Sequence, residues 1–314
     1  MVLDPIRLAA SVPQAAWVLA RERPTAIFTT GGYVAVPVLL AAATMRIPVV
    51  LWDGNVIPGR AVRATARLAS TIAVSFEATC RALGSSGRPC FVTGTPIRDV
   101  ADIDREAARV HLDIGPRDRV MLVFGGSQTV VRFNAAVAEA LPRLVNRVTV
   151  IHVTGEGGYP SALVDREALP KEVRARYRPY PFLREEMLTA LAAADMVVGR
   201  AGSSTLAEAT ALGLPMFVVP YPHAAGHQRA NAASLVEAGA ARLIDDAAFD
   251  AAALLDAAAL LDDPAAHATM SAAARSLGRP GAAAAVAELV LAAAARRPPP
   301  DVEWIERLAR GGAA

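Results

Sequence analysis

The sequence predicts an α/β protein of two domains, each built on a parallel sheet with helices on both faces. Short β-branched runs alternate with longer Ala/Leu/Arg/Glu-rich stretches of helical period almost throughout. Glycine-rich polar loops follow several of the predicted strands, where open α/β sheets hold their ligands. The length, 314 residues, exceeds what one core usually supports.

Taken in order, strands are predicted over residues 25–29, 47–51, 71–75, 90–93, 119–124, 147–153, 196–199, 216–219 and 241–244, with helical stretches such as 132–144 and 184–194 between them. Gly115-Pro116 and the charged residues around them interrupt the rhythm and predict a boundary. That leaves an N-terminal domain over residues 1–115, a C-terminal domain over 116–296, and a tail over 297–314. Within the tail, Pro298-Pro299-Pro300 reads as a stiff linker. Asp301 then caps a short helix with Val302, Ile305 and Leu308 on one side.

Composition narrows the function classes. A net charge of +2 is too balanced for nucleic acid to be the main partner. Cys80 and Cys90 are the two cysteines, and no other ligand pattern surrounds them. No disulfide is expected, and a reducing compartment fits that usage. The first residues carry no basic, apolar and small-residue succession of a secretory signal. The longest apolar runs, 33–45 and 281–295, fall short of a membrane span. A soluble protein, or one lying on a membrane surface, is expected.

Four loops carry the chemistry. They are Thr30-Gly31-Gly32-Tyr33, Trp52-Asp53-Gly54-Asn55 running on to Gly59, Gly125-Gly126-Ser127-Gln128, and Gly199-Arg200-Ala201-Gly202-Ser203-Ser204-Thr205. Glycine lets backbone approach a ligand, and the amides at a helix start favour negative charge. Each such terminus contributes about 0.3–1 kcal/mol to a bound anion. Two aimed at one diphosphate would hold a leaving group without a metal. None of the loops is a Walker A sequence or a full dinucleotide fingerprint. Glu208, read as lying in the first turn of the helix after Thr205, is placed to accept both hydroxyls of a ribose. His223 and His227 are four apart, but Gly226 intervenes and no third ligand recurs nearby, so no metal site is expected.

These residues, taken jointly and in order, resemble the MurG family of N-acetylglucosaminyltransferases. The resemblance runs from about Pro24 to Ile244. It rests on Gly31-Gly32-Tyr33-Val34, Ile47-Pro48-Val49-Val50, Thr93-Gly94-Thr95-Pro96-Ile97-Arg98, Phe124-Gly125-Gly126-Ser127-Gln128, the stretch from Arg200 to Glu208, Val219-Pro220-Tyr221-Pro222-His223 and His227-Gln228-Arg229-Ala230-Asn231. It implies a GT-B fold, two Rossmann-like domains facing across a cleft. It implies UDP-GlcNAc held mainly by the C-terminal domain, no cofactor, and a lipid-linked acceptor. By position, Leu183 matches the uracil-contacting residue and Ser127 a phosphate-side contact. Ser203, Ser204, Thr205, Leu206, Ala207 and Glu208 match the stretch around ribose and phosphates, with Glu208 on the ribose. Gln228 matches a residue facing the diphosphate or sugar, and Asn55 and Arg98 match positions of the N-terminal domain that face the cleft.

Three departures bear on this reading. The family's opening strand and "GGTGGH" loop have no counterpart, so the N-terminal domain is expected to be incomplete, the favoured explanation being a start assigned too late. The family's "HEQN" reads Trp52-Asp53-Gly54-Asn55, and Thr129 replaces a glycine. Asp53 is then the best remaining carboxylate for the general base that an inverting transfer to lipid I, giving lipid II, requires. The competing role for Asp53 is a turn residue that bonds its own backbone. A membrane-facing surface at the cytoplasmic side is implied, with Arg60, Arg63 and Arg67 expected on one helix face toward anionic headgroups. The alternatives are a catalytically incomplete UDP-sugar-binding subunit that needs a partner, and a similar transferase acting on another lipid acceptor.

Overall fold

The structure is a computed structural model that describes residues 5–100, 103–126, 131–224 and 226–312. The chain divides into two compact units, Met1–Arg98 with Arg279–Ala314, and Asp99–Gly278. The first begins with α1 (Pro5–Glu22), β1 (Ile27–Thr29), α2 (Ala35–Thr44), β2 (Val49–Asp53), α3 (Arg60–Thr65), β3 (Thr71–Val74), α4 (Glu77–Leu83) and β4 (Cys90–Val92). The second runs through α5 (Arg105–His111), β5 (Val120–Phe124), α6 (Val131–Leu144), β6 (Thr149–Val153), α7 (Tyr159–Ala168), α8 (Lys171–Arg174) and β7 (Tyr177–Tyr180). It continues with α9 (Glu186–Ala193), β8 (Met196–Gly199), α10 (Ser203–Ala211), β9 (Met216–Val218), α11 (His227–Glu237), β10 (Ala241–Leu243), α12 (Ala251–Ala259) and α13 (Pro264–Leu277). The chain then returns to the first unit with α14 (Ala282–Ala294) and α15 (Val302–Ala309).

Both sheets are parallel. The first has the order β1-β2-β3-β4 and the second β10-β9-β8-β5-β6-β7. Strands covered on both faces need apolar side chains on both, which is why β5 and β6 are buried at every position. Met121 and Val123 share one core with Phe133, Val137 and Leu141 of α6 and Leu254 of α12. In the second sheet the chain steps outward from β5 to β6 and β7, crosses back to β8 beside β5, and steps outward the other way. The order therefore reverses between β5 and β8.

The observed units correct the expected boundaries, which were 115/116 and 296/297 rather than 98/99 and 278/279. Helix α14 is the reason: Ala285, Val286 and Leu289 are buried in one cluster with Val50, Ala73 and Phe91 of the first sheet. A buried Val or Leu contributes about 1.5–3 kcal/mol, enough to decide which sheet the helix covers. The tail is part of that core, not an appendage. Asp301 caps α15 by accepting from the amides of Glu303 and Trp304 at 2.8 and 3.2 Å, Ile305 is fully buried, and Trp304 packs against the same cluster. The stretch Pro264–Ala294 is long and apolar enough to cross a membrane by length and hydropathy. It is broken by Gly278–Gly281 into α13 and α14.

Two further expectations are corrected. Strand β7 was not anticipated, because Arg178 and Pro179 disguise it; it is an edge strand, where a proline costs no ladder bond. Cys80 and Cys90, expected to be unbonded, form a disulfide with their Cα atoms 5.8 Å apart. Helix α4 packs back over β4, which brings the two together although ten residues separate them.

His152 on β6 is buried, with Nδ1 2.9 Å from the Tyr177 hydroxyl. Burial holds its pKa down, to about 3. The unfolded chain takes up that proton near 6.5, as an exposed histidine does. Between those two values only the unfolded state binds it, so stability falls as pH drops, by about 1.4 kcal/mol per pH unit. His152→Gln is expected to flatten this acid limb, as urea midpoints between about pH 7 and 4 will show. An unchanged slope would contradict the assignment.

Candidate functional site

The reversal point of the second sheet gathers the glycine-rich loops. Phe124 and Gly199 are register partners, so Gly125-Gly126 and Arg200-Ala201-Gly202 leave adjacent strands side by side at their carboxyl ends. A crevice of this kind, where strand order reverses, is where open α/β sheets take ligands. Glycine at 199 keeps this approach open, since a Cβ there would stand a tight 3.1 Å from the Phe124 carbonyl oxygen. Gly126 turns with φ of 73°, the left-handed region that glycine enters without strain. Ser127, with Gln128 and Thr129, lies outside the described residues.

Helix α10 begins at this point. Gly202 is its N-cap, in extended conformation and with no capping side chain. The first amide to return to the helix is that of Leu206, bonded to the Gly202 carbonyl at 3.0 Å. Helix geometry therefore directs the amides of Ser203, Ser204 and Thr205 outward, with the positive end of the helix dipole. Leu206, 2% exposed, pins the helix to the sheet, while Ala207 is half-buried. Glu208 is also half-buried and is the sixth helical residue. It stands in the second turn, not the first as expected, one turn behind Ser204 on the same face.

Arg200 fixes the loop before α10. Its guanidinium is buried, and Nη1 donates to the Val219 carbonyl at 3.0 Å and to Asp246 Oδ1 at 2.5 Å. Its carbon centre lies 5.0 Å from the Phe133 ring and 5.5 Å from the Tyr221 ring. One side chain thus ties the ends of β8 and β9 to the segment after β10. The role of Arg200 and Asp246 was invisible in the sequence, because 46 residues separate them.

The other expected residues of this unit are placed differently from one another. Leu183, after β7, is buried, and its neighbour Phe182 is the exposed one, with Arg184 5.6 Å from the Phe182 ring centre. An open pocket of about 590 Å³ is lined there by Glu156, Pro181, Phe182, Arg184, Glu185 and Glu186. Gln228, near the start of α11, uses Oε1 to accept the Tyr221 amide at 2.9 Å. That contact shapes the loop Pro220–His223.

In the first unit the loops at the carboxyl ends of β2, β3 and β4 are stitched together. Asp53 is buried; Oδ1 accepts the Asn55 amide at 2.9 Å and Asn55 Nδ2 at 3.3 Å, and Oδ2 accepts the Gly59 amide at 3.4 Å. Thr79 donates to the Asn55 carbonyl at 2.7 Å, Trp52 Nε1 to the Gly94 carbonyl at 3.0 Å, and the Ser75 and Thr95 hydroxyls lie 2.8 Å apart. Arg98 is exposed at the end of this unit. Asp53 thus shapes its own loop. Asp53→Ala is expected to cost about 1–3 kcal/mol, and Asp53→Asn less, because it keeps one acceptor. Thermal denaturation checks the order, and equal midpoints for Asp53→Ala and the parent would contradict it.

Comparison with known proteins fits this geometry. The glycosyltransferase family 28 C-terminal domain matches residues 120–287, and the N-terminal domain of the same family matches residues 1–74. A Roseiflexus sp. protein described as UDP-N-acetylglucosamine--N-acetylmuramyl-(pentapeptide) pyrophosphoryl-undecaprenol N-acetylglucosamine transferase is 37% identical over 280 residues. The chain belongs to the MurG family of glycosyltransferases. That first relative covers 79% of the chain, while the chain spans 63% of its length. A Frankia casuarinae protein of the same description is 37% identical over 290 residues, 90% of this chain and 74% of that protein. The MurG-family fold is also seen in a crystal structure of Acinetobacter baumannii MurG, with a TM-score of 0.72 at 24% identity over 93% of this chain and 81% of that one. The fold is accordingly GT-B, with an N- and a C-terminal domain of family 28.

Proposed function

We propose that the protein transfers N-acetylglucosamine from UDP-GlcNAc to the lipid-linked acceptor lipid I, undecaprenyl-pyrophosphoryl-MurNAc-pentapeptide, giving lipid II for the cell wall. The observation that carries this reading is the convergence of Gly125-Gly126 with the uncapped start of α10 where the strand order reverses, with Glu208 on the helix face behind it. The descriptions of the curated relatives name the same donor and acceptor.

In this reading the amides of Ser203, Ser204 and Thr205 receive the diphosphate, and Glu208 accepts the ribose hydroxyls. Ser127 adds a phosphate contact. Leu206 and Ala207 set the helix against the sheet. Phe182, beside Leu183, offers an apolar face to the uracil ring. Gln228 holds the Pro220–His223 loop toward the sugar. Asn55 and Arg98 serve the acceptor. The acceptor 4-hydroxyl attacks C1 of the sugar from the face opposite UDP. The C1–O bond to the diphosphate breaks as the new C1–O bond forms, and the hydroxyl proton passes to a base on the acceptor side. Charge gathering on the departing diphosphate is met by fixed amides that need no reorganisation, the kind of preorganisation that usually dominates such catalysis. Asp53, with its oxygens engaged in the turn, is better read as a residue that positions Asn55 than as that base.

A lipid-linked acceptor calls for a peripheral position at the cytoplasmic face of the membrane. Exposed Trp17, Tyr33, Val34 and Leu40, with exposed Arg60 and Arg63, support such a surface. Arg67 lies on the 3-10 turn Ala66–Leu68 that continues α3 directly after Thr65. The test of the whole proposal is incubation of the protein with labelled UDP-GlcNAc and a lipid I analogue. GlcNAc-bearing product is expected. Folded protein that binds UDP yet transfers nothing to that acceptor would contradict the acceptor assignment.

A further inference from the structure

One covalent bond of the first unit has no place in the proposed chemistry, the disulfide between Cys80 of α4 and Cys90 of β4. Both cysteines are half-buried, so a reductant can reach them from solvent. They pack against a buried cluster that includes Leu51, Val62, Ile72, Val74 and Leu83. Strand β4 is also registered on β3, with Cys90 opposite Ile72 and Val92 opposite Val74. Packing and pairing therefore hold this region together without the bond. Two free thiols are small apolar groups that fit the same cluster. One fold accommodates both redox states.

The bond reaches the loop that carries Asn55. The residue before Cys80 is Thr79, fully buried, whose hydroxyl donates to the Asn55 carbonyl at 2.7 Å and to that of Val56 at 3.3 Å. Asp53 closes the same loop through the Asn55 and Gly59 amides. On the other side of the bond, Cys90 opens β4, which runs into the segment Thr93–Arg98. Thr95 of that segment lies against Ser75, just after β3. Helix α4 is seven residues long, and Phe76 at its start supplies no capping side chain. So short a helix is not stable by itself, and its place depends on packing and on the disulfide. The bond thus ties Thr79, and through it Asn55, to β4.

We propose that Cys80 and Cys90 form a reversible thiol–disulfide site that sets how firmly the Asn55 loop is held, and that its partner is a dithiol of the Cys-x-x-Cys class. This rests on the reading above that the protein works at the cytoplasmic face, where a disulfide is ordinarily transient or redox-sensing. One thiolate of the partner attacks a sulfur of the pair, the S–S bond breaks, and the other cysteine leaves as a thiolate. The partner's second thiolate then attacks the mixed disulfide, which releases the remaining cysteine and closes the partner's own disulfide. Two electrons pass to Cys80 and Cys90, which take up the two protons that the partner's thiols gave up. An oxidised partner of the same class reverses the sequence. In the bonded state the Asn55 loop is preorganised. In the dithiol state it fluctuates, and ordering it costs the acceptor part of its binding free energy.

The test uses the full chain, with dithiothreitol as the small dithiol that stands in for the partner and maleimide mass labelling to count thiols. Mixtures of dithiothreitol and its own disulfide are expected to interconvert the two states in folded protein. Reduction should lower the unfolding midpoint by about 5 °C or more, since it opens a loop whose ends are 10 residues apart in the chain. Backbone hydrogen exchange over residues 54–59 should quicken by about tenfold. The KM for a lipid I analogue should rise by a similar factor, while UDP binding stays unchanged. The double variant Cys80→Ser with Cys90→Ser should match the reduced protein and ignore dithiothreitol. Exchange is read without turnover and decides the proposal by itself, whereas absence of transfer in both states contradicts the acceptor reading alone. A disulfide that folded protein keeps against excess dithiothreitol, thiols that never rejoin in the oxidised mixture, unfolding of the first unit on reduction, or equal exchange over 54–59 in both states would overturn the proposal.

Discussion

Glu208→Ala is expected to weaken UDP binding by about 10–100-fold, because a carboxylate that accepts two ribose hydroxyls contributes about 1.5–3 kcal/mol. The side chain is half-buried on the outer face of α10, so its removal leaves no core cavity, and the unfolding midpoint should move little. The loss should appear with UDP and with uridine, and be absent with inorganic pyrophosphate, which has no ribose. Glu208→Gln, keeping one acceptor oxygen, should fall between parent and alanine. Calorimetric titration with the three ligands checks the pattern. An alanine variant that binds UDP like the parent would remove Glu208 from the site.

The second large effect is expected at Arg200. Removing a buried hydrogen-bonded charge from a part-buried ion pair costs about 1.5–3 kcal/mol for each charged hydrogen bond lost. Arg200→Ala leaves Asp246 with Arg132, whose Nε lies 3.4 Å from its second oxygen, as its remaining ion-pair partner, and frees the Val219 carbonyl. It also opens the space between the Phe133 and Tyr221 rings. The midpoint of the second unit should drop steeply, and UDP binding should weaken even where the protein remains folded, because the loop into α10 loses its anchor. Arg200→Lys should rescue little, since an ammonium cannot stack between two rings while reaching both carbonyl and carboxylate. Differential scanning calorimetry with UDP titration on the same samples checks both. A lysine variant equal to the parent in midpoint would contradict the anchoring role.

Much of this was legible because the relevant physics is local. Strands buried on both faces must be apolar at consecutive positions, and runs such as Val120–Phe124 show that directly. Loops that approach a ligand need glycine, which marks Gly125-Gly126 and Gly199 to Gly202 in the sequence. What stayed hidden depends on distant partners. Helix α14 is alanine-rich, and nothing in its pattern tells which sheet Leu289 will cover, so the boundary was drawn too late. Strand β7 escaped because Pro179 argues against a strand, and edge position becomes known only with the sheet order. Arg67 was grouped with Arg60 and Arg63 by α-helical spacing, but α3 tightens into a 3-10 turn over Ala66–Leu68 that carries it. The Cys80–Cys90 bond, likewise, follows from α4 folding over β4 and not from spacing.

The central claim is that the carboxyl ends of β5 and β8, with the first turn of α10, hold uridine diphosphate. A crystal structure of the protein grown with UDP tests it most directly. The account predicts the diphosphate within hydrogen-bond distance of the Ser203–Thr205 amides, with the ribose on Glu208. A diphosphate bound at any other place on the chain, with those amides facing only water, would contradict it.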